Sequence, residues 1–151
     1  MDIEVPMEVR RRTLEGSVRA PQEWHQEAIR DAYFSGDALW RLTAVFCMRY
    51  IRGFDTQILE ALKAENEEIH YEAVCAAGTW EVDAAWSHII GLATSELTAK
   101  SLRLAAIEAV ASIRPQEAAE LLNDLTQSDD EDIAETAFEA MAMSEIGRAH
   151  V

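Results

Sequence analysis

The sequence predicts an all-α fold, an α-solenoid in which pairs of helices stack along a shared core. A helical signature recurs five times at intervals of 29 to 33 residues. Each copy has an apolar residue four positions before a central position, another one position after it, and a small residue three positions after it. We call the central positions anchors; they are Thr13, Ala44, Ala73, Ala106 and Ala137. A repeat of this length buries its apolar face only by stacking on its neighbours, which is typical of a solenoid.

The apolar spacing predicts nine helices, a single one near residues 7–19 and four pairs after it. The pairs are near 21–34 with 37–52, 55–63 with 67–80, 82–92 with 98–113, and 115–125 with 130–144. In each helix apolar residues three and four apart fall on one face. Pro21 and Pro115 suit a first helical turn, where the missing N–H has no partner. Gly78 is expected to shorten its helix, and the expected N-caps are Asp37, Asp55, Asn66 and the Ser128–Asp130 cluster.

The signature stretch reads apolar, Arg, two variable residues, Ala, as in Trp40-Arg41-Leu42-Thr43-Ala44 and Leu102-Arg103-Leu104-Ala105-Ala106. This pattern resembles the HEAT repeat family, in its short bacterial form. The resemblance implies a right-handed α-solenoid (α-α superhelix) of about four and a half HEAT-like helix pairs, forming one domain over residues 1–145, with a scaffolding or partner-binding role. The repeat positions of the Arg are Arg10, Arg41, His70 and Arg103, with His70 and Ala134 departing from it. These arginines are expected to bridge adjacent repeats through acids or helix-end carbonyls.

Both ends of the chain have unusual features. The chain begins with a signature helix that has no preceding partner helix, so we expect its N-terminus to be shortened. Residues 146–151 resemble a translated sequencing adapter, and we expect them to be a non-native tail in a gene that naturally continues past Glu145.

The charge and the cysteines restrict the partners and the compartment. The net charge is −15, yet residues 1–52 hold eight Arg and eight acids, so the deficit lies downstream. Residues 115–145 contain ten acids and no Lys or Arg, which disfavours nucleic acid as a partner. No apolar stretch approaches the length of a membrane span and no export signal is visible. Cys47 and Cys75 fall inside predicted helices, which indicates reduced thiols and a cytoplasmic protein.

The sequence contains no catalytic, metal-binding or cofactor-binding motif, so we expect a protein that is not an enzyme and holds no metal or cofactor. His70 and Cys75 are five residues apart on one helix, and their side chains diverge by about 140°. That angle prevents them from sharing one metal ion. The tryptophans are expected to pack in the core and between repeats; they are Trp24, Trp40, Trp80 and Trp86.

One set of positions predicts a binding surface. Positions two before and two after each anchor point away from the buried stripe. In the middle of the chain these positions are apolar, and in the outer copies they are charged, as at Arg11 and Glu15. The apolar members form the predicted strip: Leu42, Phe46, Tyr71, Cys75 and Leu104. A strip of this kind is typical of a protein or peptide docking site, although helix 37–52 is apolar nearly all round and the residues could instead be core.

Three functions are compatible with this pattern. The first is a non-catalytic interaction module that binds another protein or peptide on the inner face of the solenoid, around Phe46 and Tyr71. The second comes from the resemblance alone, because phycobilin lyases that attach tetrapyrroles have similar HEAT-like repeats. The third is a HEAT-like DNA glycosylase, which the acidic charge of residues 115–145 disfavours.

Overall fold

The computed structural model describes the backbone of residues 5–149 and the side chains of residues 5–144. Over that part of the chain the fold is all-α: it contains nine α-helices and no strand. The helices are α1 (Met7–Ser17), α2 (His25–Tyr33), α3 (Ala38–Cys47), α4 (Asp55–Ala61), α5 (Glu67–Thr79), α6 (Trp86–Thr94), α7 (Lys100–Ile113), α8 (Pro115–Leu125) and α9 (Glu131–Ala149). A 3₁₀ turn, Asp83–Ala85, leads into α6. None of the helices in the described part of the chain is both long and apolar enough to cross a membrane.

The chain divides into two compact units, the N-terminal unit (Met1–Ala76) and the C-terminal unit (Ala77–Val151). In the N-terminal unit α3 contacts α1, α2 and α4. The anchor Ala44 and its neighbours Val45 and Cys47 are completely buried there, together with Ile29 of α2 and Ile58 of α4. The apolar face of α3 predicted from its spacing is therefore the centre of this unit's core.

In the C-terminal unit α7 contacts α6, α8 and α9. Its anchor Ala106 is completely buried beside Ile107 and Val110. α5 ends at Thr79, one residue after Gly78 and one residue before the end expected near Trp80. A Cβ on Gly78 would stand 3.1 Å from both the Cα and the Cβ of Ala109. Two helices thus approach closely here because neither carries a bulky side chain.

The helix starts follow the predicted signals in most places. Asp37 Oδ1 accepts the backbone N–H groups of Leu39 and Trp40, and Asn66 and Asp130 cap α5 and α9 in the same way. Pro115 is the first residue of α8, where a proline costs no hydrogen bond.

The structure differs from the predictions at the start of α2, at the end of α3 and in the cap of α4. Pro21 does not begin α2, because a turn closed by the backbone N–H of Gln22 on His25 Nδ1 comes first. α3 ends at Cys47 rather than near residue 52, since the next residues form turns with bonds spanning three residues. Asp55 is the first residue of α4 and does not cap it. Local side-chain bonds and short turns, which periodicity does not reveal, decide these ends.

The anchor column is buried in four copies and exposed in the first. Ala44, Ala73, Ala106 and Ala137 are completely buried, whereas Thr13 is exposed. In α1 the buried side chains are Arg11 and Leu14, and Val9 is 51% exposed. In α9 the apolar residue after the anchor, Phe138, is 68% exposed. The outer copies therefore leave uncovered part of the face that the middle copies bury.

The predicted tail of residues 146–151 lies outside the described side chains. The backbone of α9 is described to Ala149, while His150 and Val151 are not described at all. The non-native origin of this segment stays a prediction.

Candidate functional site

Every residue of the predicted strip is half-buried. Leu42 and Phe46 project from α3, and Tyr71 and Cys75 from α5, all within the N-terminal unit. Leu104 is half-buried in α7 of the C-terminal unit. The sequence left open whether these residues form an exposed groove or belong to the core, and the structure shows an intermediate state. Each side chain packs on neighbours and keeps a part of its surface in water.

The Phe46 ring lies near the Tyr50 ring, and the guanidinium group of an arginine lies close to both. The centroid of the Phe46 ring lies 5.5 Å from that of Tyr50, with the two planes tilted by 51°. The guanidinium carbon of Arg49 stands 5.7 Å from the Phe46 centroid and 5.9 Å from the Tyr50 centroid. A cation at these distances is attracted by the faces of aromatic rings, so Arg49 holds both rings in place.

An ion pair connects this cluster to α5. Arg49 Nη1 lies 3.2 Å from Glu72 Oε2, and both side chains are largely covered. Burial raises the pKa of Glu72 above its ordinary value, and Arg49 opposes that rise. Burial by itself would lower the pKa of Arg49, but the charges of Cys75 and Glu72 raise it. Arg49 is thus held as a cation at the centre of the site.

Tyr71 and Cys75 occupy the same face of α5, one helical turn apart. The negative charge of the Cys75 thiolate is the main cause that raises the pKa of Tyr71, followed by partial burial and by a hydrogen bond between the two side chains. The Tyr71 hydroxyl therefore stays protonated at neutral pH. We call the set Phe46, Arg49, Tyr50, Tyr71, Glu72 and Cys75 the aromatic cluster.

Arg11 is not on the charged margin of the strip, as its position predicted. Its side chain is only 5% exposed. Its Nε donates to the carbonyl oxygen of Leu39 at 3.1 Å and to Thr43 Oγ1 at 3.0 Å. The Thr43 hydroxyl in turn donates to Glu15 Oε2 at 2.7 Å. These two acceptors satisfy the Nε of the buried side chain, which links α1 to α3.

Arg49, Tyr50 and Glu72 were not among the predicted binding residues. None of them stands two positions before or two positions after an anchor. Arg49 and Tyr50 lie three and four residues after Phe46, a spacing that brings side chains together on a helical turn. That spacing was a usable signal, whereas the pairing of Arg49, in the turn after α3, with Glu72 of α5 was not visible in the sequence.

The first two repeat arginines contact aromatic rings. Arg10 is exposed, and its guanidinium carbon lies 5.6 Å from the centroid of the Trp40 ring. Arg41 Nη2 donates to the Tyr33 hydroxyl at 3.1 Å, and its guanidinium carbon lies 4.8 Å from the centroid of the Tyr33 ring. Arg10 therefore links α1 to α3 through the Trp40 ring, and Arg41 links α3 to α2 through the Tyr33 ring.

The remaining repeat positions differ from them. Arg103 Nε donates to the carbonyl oxygen of Ala93 at 3.0 Å, close to the C-terminal end of α6, where carbonyl groups lack helical partners. His70 is half-buried in α5.

The tryptophans are less buried than the sequence predicted. Trp24 is 53% exposed, which contradicts its assignment to the core. Trp40, Trp80 and Trp86 are half-buried. The ring that is completely buried next to Trp24 is instead that of His25, whose Nδ1 accepts from the Gln22 backbone and whose Nε2 lies 2.9 Å from Ser17 Oγ.

Among the side chains that the structure describes, no group of three or more His, Cys, Asp or Glu is placed to hold a metal ion. Comparison of the chain with known protein families finds no match, and comparison with curated proteins finds none either. The aromatic cluster is therefore the candidate site of this chain.

Proposed function

We propose that this chain is a non-catalytic interaction module that binds another protein or peptide through the aromatic cluster of its N-terminal unit. The observation that carries the proposal is the half-buried pair of rings formed by Phe46 and Tyr50. Arg49 lies close to these rings and forms an ion pair with Glu72. Tyrosine and arginine are over-represented among the residues that contribute most to binding energy at protein interfaces. Aromatic rings already packed on their neighbours lose little side-chain entropy when a partner covers them.

The chemistry of the cluster fits a protein partner better than a small charged one. Arg49 is neutralised by Glu72, so the surface offers rings and hydrogen-bond donors in place of net positive charge. This arrangement gives no reason to expect nucleic acid, and the net charge of −15 argues in the same direction. We propose no metal, cofactor or membrane in the interaction.

The proposal includes the arrangement of the repeats. We propose a HEAT-like, right-handed α-solenoid, supported by the five-fold signature and by the packing of α3, α7 and α9 each on the helix before it. In such a fold the signature helices line the inner face, where Leu42 of α3 would extend the surface of the aromatic cluster. We also propose a cytoplasmic location, based on two cysteines that lie in helices without a disulfide framework.

The proposal is tested by finding the partner at this surface and then weakening the contact. A photo-crosslinking phenylalanine analogue in place of Phe46, in the full chain in its native cells, identifies the protein that lies against the ring. With that protein purified, we expect Phe46→Glu to raise the dissociation constant about 30-fold or more, because a charge would replace a ring at the centre of the contact. Fluorescence anisotropy measures the change.

The matched control is Phe34→Glu. Phe34 is a 63% exposed phenylalanine of the same unit that packs edge-on against Tyr33 and lies outside the aromatic cluster. We expect this variant to bind as the wild type does, and both variants to keep the helical circular dichroism spectrum. Unchanged binding by Phe46→Glu would show that the partner uses another surface.

A further inference from the structure

A chain of hydrogen bonds joins the end of α1 to the start of α2 through a histidine. The Ser17 hydroxyl donates at 2.8 Å to the carbonyl oxygen of Leu14, one of the last carbonyl groups of α1. Because that hydrogen is used, Ser17 Oγ accepts from His25 Nε2, which lies 2.9 Å away. His25 Nδ1 accepts the backbone N–H of Gln22 at 2.8 Å. These bonds assign the neutral imidazole with its hydrogen on Nε2.

The surroundings of the imidazole contain nothing that would stabilise a second proton. His25 is completely buried. None of the charged side chains that the structure describes forms an ion pair with it. The Trp24 ring lies against it, with the two centroids 4.0 Å apart. The face of Trp24 would attract a charged ring, but it offers no acceptor for an added N–H.

The charged groups on the elements around His25 are engaged elsewhere or exposed. On α1, Arg11 donates to Thr43, and Glu15 accepts from Thr43 and Arg12. Arg41 of α3 donates to a tyrosine hydroxyl of α2. The charged side chains of α2 and of the turn before it are exposed: Arg19, Glu23, Glu27, Arg30 and Asp31.

We propose that His25 is a pH-sensitive switch, in which protonation of the imidazole opens the corner between α1 and α2. Histidine ordinarily takes up a proton between about pH 8 and pH 5. A proton on Nδ1 would place an N–H group opposite the N–H of Gln22, so the bond that closes the turn would become a repulsion. In the open corner water solvates the charged ring. The N-terminal unit therefore loosens in mild acid, and this switch requires no partner.

The size of the effect follows from proton linkage. A proton that only the open form binds multiplies the equilibrium constant for opening by up to about ten for each pH unit. We expect this constant to rise about tenfold or more between about pH 7.5 and about pH 5. Hydrogen exchange measured by mass spectrometry gives it for the amides of α1 and α2, after correction for the intrinsic exchange rate at each pH.

The test variant is His25→Gln. In a capping box, a glutamine three residues after the first residue of the turn accepts the same backbone N–H, and its amide does not titrate. This variant should keep its helices and lose the rise in opening. The matched control is His88→Gln, at an exposed histidine of α6 in the C-terminal unit, and it should open in acid as the wild type does.

An NMR titration of the histidine rings in the wild-type chain provides a second test, which does not depend on the folding of a variant. We expect the charged form of His25 to appear only together with loss of protection in α1 and α2. A charged His25 in a chain whose α1 and α2 amides stay protected would overturn the proposal. An opening constant that does not change with pH in the wild type would do the same. So would an equal rise in His25→Gln, since another group would then be responsible.

Discussion

At the scale of single residues, the two cysteines differ by one position relative to the anchors of their repeats, and their thiols differ strongly in burial. Cys47 stands three positions after the anchor Ala44 and is completely buried, while Cys75 stands two positions after the anchor Ala73 and is half-buried. Burial raises the pKa of Cys47 to about 12, with the charges of Glu15 and Glu72 adding to the effect. The thiolate is the reactive form of cysteine, so burial and the raised pKa both protect Cys47 from reagents.

We predict that iodoacetamide at a pH of about 8 labels Cys75 in the folded protein and leaves Cys47 unmodified. Because the pKa of a cysteine thiol in water is ordinarily 9.0 and that of folded Cys47 is about 12, ionisation of Cys47 favours unfolding as the pH rises through this interval. Peptide mass spectrometry locates the label, and unfolding in urea provides the control in which both residues react. Equal labelling of the two cysteines without urea would contradict the burial of Cys47.

Glu81 holds a backbone conformation that suits glycine. Its φ is +49°, in the left-handed region. The N–H of Glu81 bonds to the Gly78 carbonyl and the N–H of Val82 to the Ala77 carbonyl, which is the bond pattern of a Schellman motif closing α5. A side chain in this region is strained, by about 1–2 kcal/mol for an ordinary residue.

We predict that Glu81→Gly stabilises the protein by roughly 0.5–1 kcal/mol, since relief of strain outweighs the extra entropy of glycine in the unfolded chain. Urea denaturation followed by circular dichroism measures the gain. Glu96→Gly is the control, because Glu96 is also exposed in a turn but has a negative φ, and it should not stabilise. A loss of stability in Glu81→Gly would show that its side chain has a role outweighing the strain.

At the scale of helices, the effect of replacing a helical glycine by alanine depends on which atoms lie against it. Gly78 faces the backbone of Ala109, whereas Gly91 in α6 has no neighbouring atom within 4 Å of the place where a Cβ would be. In an isolated helix, alanine is better than glycine by about 1 kcal/mol at either position. Crowding by an added methyl group in a packed interface costs about 1–3 kcal/mol.

We predict opposite signs for the same substitution at these two sites. Gly91→Ala should raise the free energy of unfolding by roughly 0.5–1 kcal/mol through helix propensity alone. Gly78→Ala should lower it by about 1 kcal/mol, because the Ala109 backbone would have to move a few tenths of an ångström. Chemical denaturation of the pair measures both. Stabilisation by Gly78→Ala would mean that the two helices separate at little cost.

At the scale of the whole molecule, excess negative charge acts against folding. The chain has 28 acids and 13 bases. Some of the bases are engaged in exposed ion pairs, such as Lys100 with Asp130 and Asp132, and Arg114 with Asp83. Exposed pairs of this kind contribute little to stability, whereas repulsion among the remaining acids grows with net charge.

We therefore predict that the melting temperature rises by a few degrees between about 10 mM and 300 mM sodium chloride, because salt screens repulsion more than it weakens the few pairs. Differential scanning fluorimetry measures the rise. Replacing Glu135 and Glu139, both exposed on α9, by glutamine removes two of the repelling charges and should make the rise smaller. A melting temperature that falls with salt would show that the ion pairs dominate.

The sequence by itself determined the helices and most of the core. Helix order and number follow from apolar spacing and from caps such as Asp37 and Asn66, which act within a few residues. The buried anchors from Ala44 onward follow from the same periodicity. Only the tertiary structure decided which faces are covered: Arg11 is buried, Trp24 and Thr13 are exposed, and Arg49, in the turn after α3, pairs with Glu72 of α5. The reason is physical, since periodicity shows which face of a helix is apolar, while the neighbour that covers it comes from elsewhere in the chain.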